Sequence, residues 1–472
     1  MSEVIDGDWD PFAVQDHSKF QWFHWKSIFT TSMGVFADGY DLSSIGIVLP
    51  LVLASFGIKS LVGIEASLLT ASALGGAVIG ALVFGLLANK GRKRFYGLDV
   101  GLMTLGAILQ IFVTNVPELI AVRLLLGIGV GADYVLSPMI MGEHSNAKDR
   151  GKTMSFGFGL MWGFGAVLSA FLYFVLHGLG VAPELIWRIV LGFGAVPTLA
   201  VIYLRRKMPE TARFLGRIKG DARATASVVS QASSVSTNPD SFEDLKDPHG
   251  FGFYFRREWR TFLGACLLWF LFDMVAYSSI LFGPSVIAKH LGLGPDTFQF
   301  LMEGAFTIPG GIVALLLIDR AGRKPLQLLG FIGMAGALIS YGLVTGGGAL
   351  AAVPVLAFIL YGSQNFFSQA GPGSVSASGV LGVELAPTKV RGTVQALTVA
   401  SGRLGATLTA FVFPFLIRVY GESFAVYFLA GLAVLAAIVT MLVIPETKRR
   451  SLEQSSGEAK LMEEEKSMVA QP

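Results

Sequence analysis

The chain of 472 residues is 53% hydrophobic and only 15% charged, with a formal net charge of +3 and a single cysteine, Cys266. Water-soluble domains carry about a quarter charged residues, so this composition excludes an ordinary soluble globular protein. A lone cysteine cannot close an internal disulfide, and so small a net charge leaves the distribution of charge as the informative quantity.

The first 25 residues are polar and acidic and lack a basic stretch followed by an apolar core, so no cleavable signal peptide is expected there. Apolar runs long enough to cross about 30 Å of hydrocarbon then follow at 26–55, 62–88, 95–115, 117–143, 152–178 and 183–205. Residues 208–258 interrupt them with a polar connector rich in Ser, Ala and Asp, expected to hold at most short helical pieces. Six more runs lie at 259–288, 298–318, 326–346, 349–384, 393–419 and 422–444, and the tail after Arg450 is charged and expected to be mobile. Runs this long and continuous are helices, because a membrane strand is shorter and alternates.

The expected fold is therefore an all-α polytopic membrane protein of about twelve transmembrane helices. It divides into an arm (1–25), a six-helix bundle (26–207), a connector (208–258), a second six-helix bundle (259–446) and a tail (447–472). Lysine and arginine cluster on alternate loops, in NKGRKR (89–94), NAKDRGK (146–152), RRK (205–207), RRE (256–258), DRAGRK (319–324), KVR (389–391) and KRR (448–450). The opposite loops hold isolated cations such as Lys59, Lys289 and Arg418. The basic loops, and with them both termini, are expected on the cytoplasmic side. The two halves repeat: NKGRKR matches DRAGRK, the Glu143 to Arg150-Gly spacing returns from Glu384 to Arg391-Gly, and PETARF at Pro209 returns as PETKRR at Pro445. Three matches at offsets of roughly 230–240 residues are the mark of two related bundles around a shared cavity.

An ionisable side chain at the centre of a membrane helix costs about 2.5–3.5 kcal/mol to insert, so each needs a reason. In the first span Asp38 and Asp41 stand three apart on one helical face. Two poorly solvated carboxylates so placed either capture a proton or cap a helix break near Gly39. The fourth span, RLLLGIGVGADYVLSPMI, carries Arg123, three glycines and Asp133 followed by Tyr134. Ten residues at 1.5 Å each separate Arg123 from Asp133 by about 15 Å, so they should have separate partners. Asp133 is read as a proton carrier, with a buried carboxylate satisfied by neighbouring helices as the alternative. In the seventh span Trp269, Asp273 and Tyr277 recur every four residues and should form one stripe facing a polar solute. In the tenth, Gln364, Asn365 and Gln369 precede Gly371-Pro372-Gly373, a broken helix whose amides form either a binding wall or an interhelical contact. Arg403 in the eleventh span can attract an anion or pair with Asp38 or Asp41. Asp99 and Glu303, nearer span ends, read as interface or gate-packing residues.

The loop motifs DRAGRK, Glu followed by Arg-Gly, and PETARF/PETK resemble those of the major facilitator superfamily, in its sugar-porter-like branch, over nearly the whole membrane part. That resemblance implies gating charges at Arg92, Glu143, Arg150, Asp319, Arg323, Glu384 and Arg391. A narrower resemblance is to phosphate:proton symporters: GADYVLSPMIMGEHSNAKDRG from Gly131 to Gly151, the D-x-Y-D of Asp38, Tyr40 and Asp41, and the W-x-x-x-D-x-x-x-Y of Trp269, Asp273 and Tyr277. It implies substrate contacts from Tyr134, Trp269, Asp273 and Tyr277, a proton path through Asp38, Asp41 and Asp133, and Arg123 in the same buried charge network. The chain departs from that pattern at four places. Trp162 stands where the family has a glutamine, Gly373 where it has an asparagine, Arg403 for its lysine, and Asn89 for its loop aspartate. The resemblance implies a proton-coupled symporter working by alternating access, as a monomer in the plasma membrane, on a small solute together with a proton. Phosphate leads as the solute; a sugar, a polyol or an organic anion is the alternative, as is a nutrient-sensing receptor on a transporter fold. No nucleotide loop and no metal spacing occurs, so an enzyme, a cofactor and a nucleic-acid partner are not expected.

Overall fold

The computed structural model describes residues 10–58, 64–346 and 354–469. Lys59 and the first residues of the second and tenth expected spans lie outside them. The described residues contain no strand, and ten of their helices are long and apolar enough to cross a bilayer. With the shorter α3 and α10, which are not among those ten, the helices of the bundles are α1 (Trp22–Ser55), α2 (Ile64–Ala88), α3 (Leu98–Gln110), α4 (Val116–His144), α5 (Arg150–Gly178), α6 (Pro183–Lys207), α7 (Phe251–Phe282), α8 (Pro295–Leu317), α9 (Arg323–Gly346), α10 (Pro354–Ser368), α11 (Arg391–Tyr420) and α12 (Glu422–Val443). They form the two six-helix bundles that the repeat announced.

Two elements, α3 and α7, differ from the expectation, and the tenth span breaks where the sequence places a broken helix. α3 is only 13 residues long, or about 20 Å at 1.5 Å per residue. Gly97, at φ +105°, delays its start, and Asp99 accepts the amides of Gly97 and Val100 at 2.7 and 2.9 Å. Beyond its other end Asn115 caps α4, accepting the Glu118 amide at 2.9 Å, so the chain must leave one helix to enter the next. α7 begins at Phe251, inside the expected connector. The tenth span breaks: after α10 the chain makes a π-helical turn over Gln369–Gly373, around Pro372, and a short helix at Val380–Glu384.

Close packing within the first bundle rests on missing side chains. A Cβ on Gly127 would meet the Ala73 carbonyl of α2, one on Gly131 the Ala77 carbonyl, and one on Gly129 the Asp99 carbonyl of α3. α4 is thus wedged backbone to backbone between two neighbours, the arrangement that dispersion favours where lipid supplies no hydrophobic drive.

The expected mobile tail is instead folded. Phe12 of the arm, Leu215, Val229, Phe242 and Leu245 of the connector and Met462 of the tail share a small apolar core at the basic end of the bundles. Arg213 pairs with Asp16 and with Glu453, both at 2.7 Å, and Arg217 with Glu458 at 2.8 Å. A charged composition read as solvated because the cations that pair with it lie some 240 residues away.

Candidate functional site

A small cavity of about 60 Å³ lies between the bundles. α4 contributes Tyr134, α5 Phe158 and Trp162, α7 Asp273 and Tyr277, and α11 Arg403. α8 contributes Glu303 and Thr307, and the broken tenth span Asn365 and Gln369. Most of the sequence-expected substrate residues therefore share one chamber. Trp269 stands behind the wall, edge-on to Tyr134 with ring centroids 6.1 Å apart. It fits there because Gly402 presents no side chain to its indole. Trp162 takes the wall position where the resemblance placed an amide, and a Cβ on Gly39 would strike its carbonyl, so α1 and α5 touch at that level.

Arg403 organises the chamber. Its guanidinium lies 4.2 Å over the Tyr134 ring, donates to Asp273 at 3.4 Å and to the Tyr277 hydroxyl, and reaches Asp38 of the other bundle at 3.4 Å. Of the two partners the sequence allowed, the structure selects Asp38. Charge-assisted N–H···O bonds normally measure about 2.7–2.9 Å, so both carboxylates are held loosely by one shared cation. The Asp38 contact thereby bridges the two bundles.

A second arginine is held differently. Arg205 of α6 donates to Asp99 at 2.7 Å and to Asp133 at 2.5 Å, and stacks at 4.6 Å on Tyr96. Asp133 also accepts from Ser137 at 2.5 Å, and a Cβ on Gly34 would collide with both Asp133 and Arg205. Asp133 is thus fully buried inside one bundle and is not among the residues lining the chamber. The surroundings of Asp133 are those of the alternative reading, a buried carboxylate satisfied by neighbouring helices, here in a tight, charge-paired cluster. Asp99, read as span-end packing, is part of it. Arg205 was hidden in the basic loop RRK; the one clue was its place at the last turn of an apolar run.

Arg123 and Asp133 do have separate partners. Arg123 donates to Gln110 at 3.1 Å and to the Leu69 carbonyl at 3.3 Å, and it is the cation whose charge acts on Asp41. Both Asp41 oxygens lack a hydrogen-bond partner, and a Cβ on Gly194 of α6 would meet that carboxylate. Asp38 and Asp41 therefore have different neighbours, Arg403 for the first and Gly194 of α6 for the second. Glu303 is the larger surprise. It stands eight residues inside α8, at the start of a π-helical turn (Glu303–Thr307), so it faces the chamber rather than a span end. One of its oxygens accepts from Gln299 at 2.8 Å, and the other is buried without a partner.

At the basic end the seven expected gating residues meet in a two-fold latch. Glu143 accepts from Arg92 of its own bundle at 3.2 Å, from Arg391 of the other at 2.7 Å, and from the Thr211 hydroxyl. Glu384 repeats this with Arg323 and Arg150, each at 2.9 Å, and Thr447 at 2.5 Å. Asp319 pairs with Arg323 and accepts the Lys152 amide, both at 2.8 Å, at the start of α5, where a carboxylate suits the helix dipole. Asn89 fills the matching place near the start of α11 and donates to Thr393 at 2.7 Å, without the charge. The two crossing ion pairs are fully buried, so this end of the molecule is closed.

One group of carboxylates could in principle hold a cation: oxygens of Asp10, Asp16 and Glu453 lie within 4.8 Å of one another. Arg213 already sits against two of them. Burial first, then the charges of Glu453 and Asp16, push the Asp10 carboxyl up to about 7. The donor set is thus neutralised by protein charge and does not fit a metal.

Comparison with known proteins agrees with this architecture. The model of the family described as "Sugar (and other) transporter" matches residues 27–458. The "Probable inorganic phosphate transporter 1-12" of Oryza sativa subsp. japonica is 30% identical, over 94% of this chain and 93% of its own. The "Probable inorganic phosphate transporter 1-6" of Arabidopsis thaliana is 31% identical, over 94% and 95%. Among solved structures, the proton:xylose symporter XylE bound to 6-bromo-6-deoxy-D-glucose superposes with a TM-score of 0.79 at 22% identity, covering 92% of this chain and 99% of its own. The inward open form of XylE from E. coli reaches 0.69 at the same identity and coverage. With a matching family model over most of its length, phosphate-transporter relatives over nearly all of it, and the two-bundle architecture in hand, the chain belongs to the sugar (and other) transporter family of the major facilitator superfamily.

Proposed function

We propose that this transporter is a proton-coupled importer of inorganic phosphate, lying in the plasma membrane with its latched, basic end and both termini at the cytoplasm and working as a monomer. The observation that carries the reading is Arg403 stretched between Asp38 and Asp273 across the bundle interface. With these carboxylates ionised the cluster already holds one more negative charge than positive. Adding a phosphate monoanion would leave two uncompensated charges in a dry chamber, at a cost of several kcal/mol for each buried ion. If each carboxylate takes up a proton as the anion takes Arg403, the cluster becomes neutral and the bundles can close around it. Protons and anion then travel together, and the gradient of one drives the other. In this reading Asp38 and Asp273 carry the protons, while Asp133, clamped by Arg205, is a fixed charge of the scaffold.

Glu303 refines the substrate. Its unpartnered oxygen can accept whether or not the carboxyl is ionised, so a solute that brings a hydroxyl donor satisfies it. Dihydrogen phosphate does, and sulfate does not. A polyol or sugar also does, and with the Trp162 wall this supports sugar transport as the second reading.

The test is uptake by proteoliposomes carrying an inward proton gradient. Phosphate should accumulate and outcompete sulfate, xylose and carboxylates; xylose uptake with no phosphate uptake would replace the first reading with the second. In Glu303→Gln, discrimination of phosphate against sulfate should fall roughly tenfold or more, since a site left unpaired by the wrong solute is what rejects it. An unchanged ratio would remove Glu303 from recognition.

A further inference from the structure

Outside the chamber and the latch, the first bundle carries a cleft that neither uses. It opens at the basic end between the start of α3 and the end of α6, with about 1030 Å³ of space continuous with solvent. Its walls are Lys93, Arg94, Tyr96, Leu98, Arg206, Glu210 and Lys219. Four cations thus face one carboxylate, and Glu210 is occupied with the backbone amides of Lys93 and Thr211 at 3.2 and 3.1 Å. Among the described residues none of the four cations makes an ion pair.

The other bundle supplies an internal reference. Aligning the repeats on Arg92 with Arg323 and on Pro209 with Pro445 sets Lys93 against Lys324, Arg94 against Pro325, Arg206 against Leu442 and Lys219 against Ser455. The Lys324 ammonium is spent on the Met441 carbonyl at 2.8 Å, and Leu442 is an apolar side chain 73% exposed. The fold therefore builds this corner without three of the four cations. They are an addition peculiar to the first half, and concentrating unpaired like charge costs energy unless an anion compensates it.

The rim identifies the source of that anion. Leu98, in the cleft wall, is 48% exposed, and Tyr203, one turn before Lys207 and stacked by it at 4.3 Å, is 64% exposed. An apolar surface ending in an aromatic and a ring of cations is the profile of the headgroup level of a bilayer. We propose that this cleft binds the phosphate-bearing headgroup of an anionic lipid from the leaflet at the latched end. Occupancy would reach the latch through two neighbours in the chain. Lys93 follows Arg92, which holds Glu143, and Glu210 precedes Thr211, which bonds the same carboxylate.

The full chain, purified in mixed micelles, tests this by thermal unfolding with added phosphatidylglycerol, phosphatidylcholine or soluble glycerol phosphate. Phosphatidylglycerol should raise Tm by roughly 3–5 °C, as saturable binding to the folded state does, and the other two should not. Most of that shift should vanish in the triple variant Arg94→Gln, Arg206→Gln, Lys219→Gln and survive in Arg256→Gln, Arg257→Gln, Arg260→Gln, which removes three exposed cations elsewhere on the same end. Should the triple variant fail to fold, Arg206→Gln alone should lose a measurable part. Equal shifts in the two triple variants, or an undiminished shift in Arg206→Gln, would overturn the site. An equal response to glycerol phosphate would overturn its assignment to lipid.

Discussion

Arg403→Gln should abolish gradient-driven uptake. Among the described residues the guanidinium is the one cation in the chamber wall, and it serves Asp38 and Asp273 together. Without it two buried carboxylates lose their counter-charge. Breaking a buried ion pair typically costs about 3–5 kcal/mol, and the long 3.4 Å contacts put each pair here at the lower end. The variant should therefore fold with a lowered Tm, its carboxylates protonated instead of paired, and it should no longer sense the anion. Arg403→Lys keeps the charge but loses the planar fork that reaches two carboxylates at once. It should retain uptake with KM raised severalfold. Uptake and Tm measured on the same preparations separate loss of function from loss of fold. Near-normal uptake in Arg403→Gln would mean that the arginine only packs on Tyr134.

The second large effect belongs to the latch. Arg150→Gln and Glu384→Gln should each populate a form open at the basic end, because each leaves a fully buried partner of opposite charge behind. Removing Glu384 is the harsher change, since it also strips Arg323 of a carboxylate, although Asp319 remains beside that arginine. Spin-label distances across that end report the open fraction. In the double variant the two penalties should overlap, giving a coupling energy of about 1–3 kcal/mol, as for other residues in one ion-pair network. Simple additivity would show that the Arg150–Glu384 pair does not hold the bundles together. Because Asn89 replaces a charge that Asp319 retains, the Glu143 side should open with the smaller perturbation.

What could be read from residues alone followed a pattern. The latch was legible throughout because its charges sit in short loops at one repeated offset, where a repeated fold must bring them together. The stripe of Trp269, Asp273 and Tyr277 was legible because an aspartate amid aromatics on one helix face admits few surroundings, though Trp269 proved to support the wall rather than form it. Rotational placement was not legible. A helix that is apolar all round carries no mark of which face meets the chamber. Asp133 could thus be assigned to a membrane helix but not aimed, and its partner Arg205 is 72 residues away in a different span. The placing of Glu303 is hidden for a related reason: the apolar run starts at 298, whereas α8 starts at Pro295 and a π-helical turn re-aims the carboxylate. The folded tail was missed because composition counts charges without knowing that Arg213 and Arg217 await them.

The claim on which the mechanism turns is that anion and protons exchange places around Arg403. Counting protons taken up per phosphate in proteoliposomes, with an internal pH dye and labelled phosphate in the same vesicles, addresses it directly. Wild type should move protons only when phosphate is present, and Asp38→Asn should reduce the ratio and let uptake proceed with little regard to the pH gradient. Phosphate uptake at an unchanged proton ratio in Asp38→Asn and Asp273→Asn alike would contradict it.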